Sequence, residues 1–224
     1  MDGGGTVLDA ELRELLSESW TQAALAEHAS IASFNRFSLQ LLAVGAPPDL
    51  LEDTQKAALD EVRHAEACFE RASFYAGEDL APGPLPLDGD LLGELDLRTV
   101  LLAVVAEGCV GETLSAMEAE VCVESCLEGR DKQVMQRIAK DEARHAALAW
   151  RFVQWALAED PSLAHVVQKG LHLAVGPRSP EPPAHPREAD LLAYGRPTER
   201  LRNRVREQYR GELMPVLLAG LGLS

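Results

Sequence analysis

Along the first two-thirds of the chain, apolar residues recur at three- and four-residue spacing and almost no segment alternates with period two, so the pattern reads as nearly all helix. It predicts a first helix from about Leu8, with Asp9 near its start, to Val44, stopped by the Gly-Ala-Pro-Pro that follows. A second helix begins at Pro48, a residue suited to the first helical turn, and ends at Gly77. From Glu78 to Leu95 the chain is rich in Gly and Pro and too long for a tight hairpin. At about 3.3 Å per extended residue this stretch reaches roughly 60 Å, more than the roughly 45 Å of a thirty-residue helix, so it reads as a crossover that lets the second and third helices run parallel. Asp96 is placed to cap a third helix ending before Gly129, and a fourth runs from near Asp131 to Glu159. Beyond lie a fifth helix over Ser162 to Val175, a proline-rich loop over Pro177 to Arg187, and a terminal helix over Thr198 to Leu221 that Pro215 should bend or interrupt. The expected fold is all-α: a flexible N-terminus over 1–9, a four-helix bundle with one long crossover over 10–160, and a C-terminal helical extension over 161–224 packing on it.

A repeat lies inside this pattern. The stretch DEVRHAEACF, Asp60 to Phe69, returns as DEARHAALAW, Asp141 to Trp150, at a shift of 81 (61 to 142, 64 to 145). Glu27 and Glu107, in the first and third helices, stand 34 and 35 residues before the two Glu-x-x-His pairs (27 to 61, 107 to 142). The chain thus reads as two copies of one helical hairpin, and the turn APPD of the first copy falls over LEGR, Leu127 to Arg130, of the second. Residues equidistant from a hairpin turn lie level. The midpoint of 27 and 61 is 44, at the first turn; that of 107 and 142 falls between 124 and 125, a few residues early, which implies a shorter or tilted third helix.

Glu and His at i and i+3 differ by about 60° around a helix and point the same way. Two such hairpins packed face to face converge the carboxylates of Glu27, Glu61, Glu107 and Glu142 with the imidazoles of His64 and His145. Four buried carboxylates without partners are prohibitively costly, and two divalent cations remove that cost. Oxygen-rich donors with two imidazoles suit Fe(II) or Mn(II) better than zinc. Asp60 and Asp141 are placed to accept the free N–H of the histidines, and Arg63 and Arg144 to pair with those aspartates; the bland alternative has all four facing solvent. Gly108 and Gly111 follow Glu107 in the same helix. Each costs about 1 kcal/mol relative to Ala there, which marks space left for O2, for a substrate or for a close helix neighbour. Glu112 lies about 140° from the ligand direction and would join the set only if the helix bulged.

Composition narrows the partners. A net charge of -15 and a pI near 4.8 argue against a nucleic-acid footprint. The N-terminus has no basic segment followed by an apolar one, and the most apolar run, Leu97 to Met117, carries Glu107 and Glu112 inside it, so neither a secretory signal nor a membrane span is expected and a cytoplasmic location is. The cysteines, Cys68, Cys109, Cys122 and Cys126, form no C-x-x-C pair; Cys122 and Cys126 share a helical face and could pair or bind something, and otherwise read as small buried hydrophobes.

The two motifs DEVRH and DEARH, with Glu27 and Glu107, resemble the dinuclear-metal carboxylate branch of the ferritin-like superfamily over Ala10 to Asp160. That group includes rubrerythrins, bacterioferritins, acyl-carrier desaturases, hydrocarbon monooxygenases and aldehyde-deformylating oxygenases. The resemblance implies a ferritin-like bundle in which Glu27, Glu61, His64, Glu107, Glu142 and His145 hold two Fe ions, alternatively a Mn/Fe pair or two Mn, with Glu61 and Glu142 bridging. Departures restrict it further. There is no rubredoxin-type cysteine pair; Tyr75, Tyr194 and Tyr209 all lie more than a turn from any such ligand; and residues 161–224 have no counterpart and are awkward for a storage cage. The implied function is an oxidoreductase that uses O2 or peroxide and an external electron donor to oxidise a small organic substrate, with a homodimer left open. The alternative is a ferroxidase or iron-handling protein with iron as substrate; a third reading is an interaction bundle with an incidental site. An apolar, substrate-sized pocket beside the ligands separates the first from the second.

Overall fold

The computed structural model describes residues 8–87, 92–127 and 129–223, and among them there are helices and connecting loops but no strand. Most of the stretch expected to be a flexible N-terminus, residues 1–7, lies outside the described residues, as do 88–91 of the crossover and Glu128 of the second turn. Helix α1 spans Ala10–Val44, and Asp9 caps it by accepting from the Leu12 N–H at 2.8 Å. It ends where Gly45 turns left-handed, at φ 69°, a conformation that is costly for a residue with a Cβ. Helix α2, Pro48–Ala76, starts on a proline that needs no intrahelical partner for its missing N–H and packs antiparallel on α1.

The third predicted helix is longer than it is regular. Asp96 caps α3, Leu97–Val104, by accepting from the Thr99 N–H at 3.1 Å. The chain then widens into a π-helical segment, Val105–Glu112, before resuming as α4, Thr113–Ser125. Helix α5, Arg130–Glu159, returns alongside α4 and the π segment and also packs on α2. By length and composition the run Leu97–Ser125 is apolar enough to cross a membrane; here it packs against α5 and α6, and 44% of its most apolar window is buried.

A 3₁₀ turn, Pro161–Leu163, leads into α6, Ala164–Val175, which lies against α3 and the π segment. Helix α7, Glu188–Ala193, is a short element that sequence periodicity missed. It is held by burial of Leu191, by the Leu127 N–H donating to the Ala193 carbonyl at 2.9 Å, and by Arg187 just before it reaching Asp9 at 3.0 Å. The terminal helix is interrupted earlier than Pro215 alone suggested: α8, Glu199–Gln208, passes through a π segment, Tyr209–Leu213, into α9, Met214–Gly220. Pro215 supplies no N–H to the preceding turn, and the π segment lies in the turn just upstream of it. The C-terminal third is tied into the core by Arg196, whose guanidinium lies 4.3 Å over the Trp20 ring and whose Nε donates to Ser19 Oγ at 3.0 Å.

The core includes the fully buried Leu16, Trp20, Leu101, Phe152, Val153 and Tyr209, and all four cysteines are buried. Gly108 answers one question left by the sequence: a Cβ there would come within 2.5 Å of Ala149 Cβ, so this glycine permits close approach of the π segment to α5. Gly108→Ala should therefore destabilise the protein by about 1–3 kcal/mol through overpacking, read as a lower urea midpoint at unchanged m-value, and adding Ala149→Gly should recover part of the loss.

Candidate metal centre

Four elements deliver the charged side chains. Helix α1 brings Glu27; α2 brings Glu61 and His64, one turn apart on one face; α5 brings Glu142 and His145 in the same spacing; the end of the π segment brings Glu112. Glu61, His64, Glu142 and His145 are all at most 3% exposed. His64 Nδ1 lies 3.7 Å from Glu27 Oε2, 3.7 Å from Glu61 Oε1 and 3.5 Å from Glu142 Oε1. His145 Nδ1 lies 3.1 Å from Glu61 Oε1, 3.6 Å from Glu142 Oε2 and 3.8 Å from Glu112 Oε2.

These residues form two groups able to hold a metal ion, Glu27–Glu61–His64–Glu142 and Glu112–Glu142–His145, with the ligand atoms of each within 4.8 Å of one another. Glu142 belongs to both groups, and Glu61 reaches His145 of the other one. The separations are those of atoms sharing a cation: nitrogen and oxygen ligands about 2.1 Å from one ion stand about 3 to 4 Å from each other. Alignment points the same way. Both carboxylate oxygens of Glu61, Nδ1 of His64 and both ring nitrogens of His145 are buried with no aligned hydrogen bond, although Glu61 and His145 approach to 3.1 Å. Buried polar atoms are normally satisfied, so donors that converge without pairing fit a cation between them.

Glu107 is not brought to this cluster. Its side chain is 52% exposed and ion-paired with Arg36 on α1. The physical reason is the π segment: its wider turn carries an extra residue, so residues five apart come onto nearly the same face. Glu112 is thereby turned inward, one turn beyond Glu107. A signal for this was present in the chain: the midpoint of 112 and 142 is 127, inside the second hairpin turn, just as that of 27 and 61 is at the first.

Around the histidines the two motifs cross over. His64 Nε2 is hydrogen-bonded to Asp141 Oδ2 at 3.1 Å, whereas His145 Nε2 faces Asp60 Oδ2 at 3.6 Å without an aligned hydrogen bond, so each aspartate faces the histidine of the other copy but only Asp141 holds one. Arg63 donates to Asp60 at 2.8 Å; Arg144 donates to Asp60 at 3.2 Å and pairs with Asp141. Burial alone would raise Asp141, but Arg144 and His64 hold its carboxyl below the usual range. A histidine held through Nε2 presents Nδ1 to the cluster in a fixed orientation.

Without cations the cluster neutralises itself with protons. Burial, aided by the Glu142 and Glu27 charges, pushes Glu61 up to about 8. Burial and the Glu142 carboxylate likewise raise Glu112 well above its ordinary value. For His64 burial acts downward, but Glu142 and Glu27 outweigh it and lift the ring to about 10; Glu112, Glu142 and Glu61 lift His145 to about 12 against the same burial. Glu142 stays well below the carboxylate range despite its burial, because Glu112 and both histidines stabilise its charge.

A cavity of about 310 Å³ opens on the Glu112–His145 end of the cluster. Its lining mixes apolar Phe34, Phe37, Val104 and Leu148 with polar Ser30, Ser33, Gln40 and Ser115, and Arg36 and Glu107 also line it. Gly108 and Gly111 line it too, so Gly108 serves both space and close contact. No protein-family model, curated protein or solved structure matches the chain.

Glu112→Ala should lower the metal content measured after loading and desalting, as should Glu61→Ala or His145→Ala, whereas Glu107→Ala should leave it at the wild-type value. The proton load sets a pH dependence. Glu61 and His64 titrate higher in the folded than in the unfolded chain, so their stabilisation is complete below about pH 4.5 and 6.5 respectively and is lost as pH rises through about 8 and 10. Metal-free protein should thus melt lower at about pH 9 than at about pH 6, while added Mn(II), which needs deprotonated ligands, should stabilise more at the higher pH. Thermal unfolding with and without Mn(II) at both pH values checks both signs.

Proposed function

We propose that this chain is a ferritin-like, dinuclear-metal oxidoreductase, built on a four-helix bundle, that oxidises a small organic substrate with O2 or peroxide. The observation that carries this reading is the pair of ligand groups sharing Glu142, with a partly open cavity of mixed apolar and polar lining beside them, bordered by Glu112, His145, Glu142 and Glu27. Glu27, Glu61, His64 and Glu142 would hold one ion, and Glu112, Glu142 and His145 the other. The four carboxylates balance two divalent cations, and oxygen-rich donors with two imidazoles favour iron, or a Mn/Fe or Mn pair. When bound, a redox-active pair supplies the electrons that reduce O2 or peroxide.

The chain's own residues do the rest. Asp141, which despite burial is held below its ordinary range by Arg144 and His64, orients the His64 imidazole, while Asp60, paired with Arg63 and Arg144, faces His145. The apolar wall formed by Phe34, Phe37 and Leu148 excludes water from the Glu112–His145 end and holds the substrate body there. O2 accepts four electrons on reduction to water; a two-electron substrate oxidation supplies half, and an external donor must supply the remainder. With peroxide no donor is required.

A second reading has a specific observation behind it. Glu27 and Glu112 are 17% and 18% exposed and line the cavity, so iron could enter there and be the substrate of a ferroxidase. Anaerobic titration of metal-free protein with Fe(II), followed by an O2 pulse, separates the two. Iron oxidation that stops at two per chain, the number of ligand groups, supports the oxidoreductase. Oxidation that continues past two per chain transfers the role of substrate to iron.

A further inference from the structure

We propose that the cavity beside the cluster selects a small amphipathic carboxylic acid, held by Arg36 with its apolar body directed toward the Glu112–His145 end; this rests on reading the cluster as the reacting centre. The volume bounds the ligand. About 310 Å³ is the space of roughly ten waters, hence a molecule of about ten non-hydrogen atoms rather than a long chain.

Arg36 decides its chemistry. The guanidinium is a planar fork suited to a carboxylate, yet only part of it is engaged: one terminal nitrogen pairs with Glu107, while Nε is buried with no acceptor. Glu107 is half exposed and free to turn into water, which would release the fork to a ligand oxyanion. The remaining carboxylates of the wall, Glu27, Glu112 and Glu142, are committed to the cluster, and Ser30, Ser33, Gln40 and Ser115 are neutral. A cationic ligand would have to take Glu107 from Arg36 and strand the guanidinium in a partly dry site, which burial penalises. An anionic ligand strands nothing, because Glu107 regains solvent.

Geometry then orders the ligand. Glu107 and Glu112 are one turn apart on the π segment, so the anchored carboxylate stands about 5 Å along the helix axis from the cluster. Phe34 lines the cavity beside the cluster, its ring 5.0 Å from that of His145 in an edge-on contact. The carbons remote from the carboxylate therefore face the ligand groups.

The test uses 3-phenylpropionate, with 3-phenylpropanol and 3-phenylpropylamine as its neutral and cationic counterparts, titrated calorimetrically into Mn(II)-loaded and metal-free full-length protein. The acid should bind at least ten-fold more tightly than either counterpart. Arg36→Gln should abolish that preference without changing alcohol binding, Arg36→Lys should retain part of it, and Glu107→Gln should tighten acid binding several-fold, a gain that misfolding cannot produce. Equal binding of acid and alcohol, preference for the amine, or acid binding indifferent to both Arg36→Gln and Glu107→Gln would overturn the assignment. Manganese content, measured on the same samples, reports separately on the metal reading. Absent metal with an Arg36-dependent acid preference would sink that reading and leave the acid site standing.

Discussion

Burying acid is the constraint on which the rest of this structure depends. Glu61 and Glu142 are held in the protein interior beside two imidazoles, with Glu27 and Glu112 closing the cluster, and charges so placed are tolerated only when something positive lies among them. That requirement explains why the donors converge without pairing, why the metal-free cluster takes up protons, and why each histidine faces an aspartate of the opposite motif, with His64 hydrogen-bonded to Asp141. The crossed bracing also couples α2 to α5. Moving either helix would disturb both imidazoles, so the two Glu-x-x-His copies act as one unit.

The π segment is the other half of the design. A π turn is less favourable than the α turn it replaces, and such turns occur frequently at functional sites. Here it exchanges Glu107 for Glu112 at the cluster and sends Glu107 to the rim of the cavity, where it meets Arg36. Its irregular backbone is supported locally by Thr113 Oγ1, which donates to the Cys109 carbonyl at 2.8 Å, and from outside the hairpins by the Tyr209 hydroxyl, which donates to the same oxygen at 3.3 Å, and by α6, where Gly170 lets Val105 approach closely. The C-terminal third thus bears directly on the segment that positions Glu112.

The cavity makes the two ends of the cluster inequivalent. It borders Glu112 and His145, and the Glu61–His64 pair is not among its lining residues. An internal repeat in sequence has become an asymmetric site in space: both residues Glu112 and His145 face the amphipathic pocket, whereas of Glu27, Glu61 and His64 only Glu27 does. The asymmetry originates in the second copy alone, because only its leading helix carries the π turn and the glycines that open the wall.

Much of this was determined by the sequence alone, for local reasons. Asp9, Pro48, Gly45 and Asp96 act through their own backbone preferences, and helix ends placed by them need no tertiary context. Glu-x-x-His is one turn of helix wherever it occurs, so the duplicated motif already put Glu61, His64, Glu142 and His145 on inward faces. Between Glu107 and Glu112 the chain left one trace, the midpoint of 112 and 142 in the second turn; the tertiary structure made the decision, because a single extra residue in a helical turn leaves no mark on apolar spacing and is stabilised by Ala149, Tyr209 and α6, partners remote in sequence. Gly108 and Gly111 hinted at space beside the cluster, but the cavity's bounds, like the short α7, exist through contacts between segments that the order of residues does not reveal.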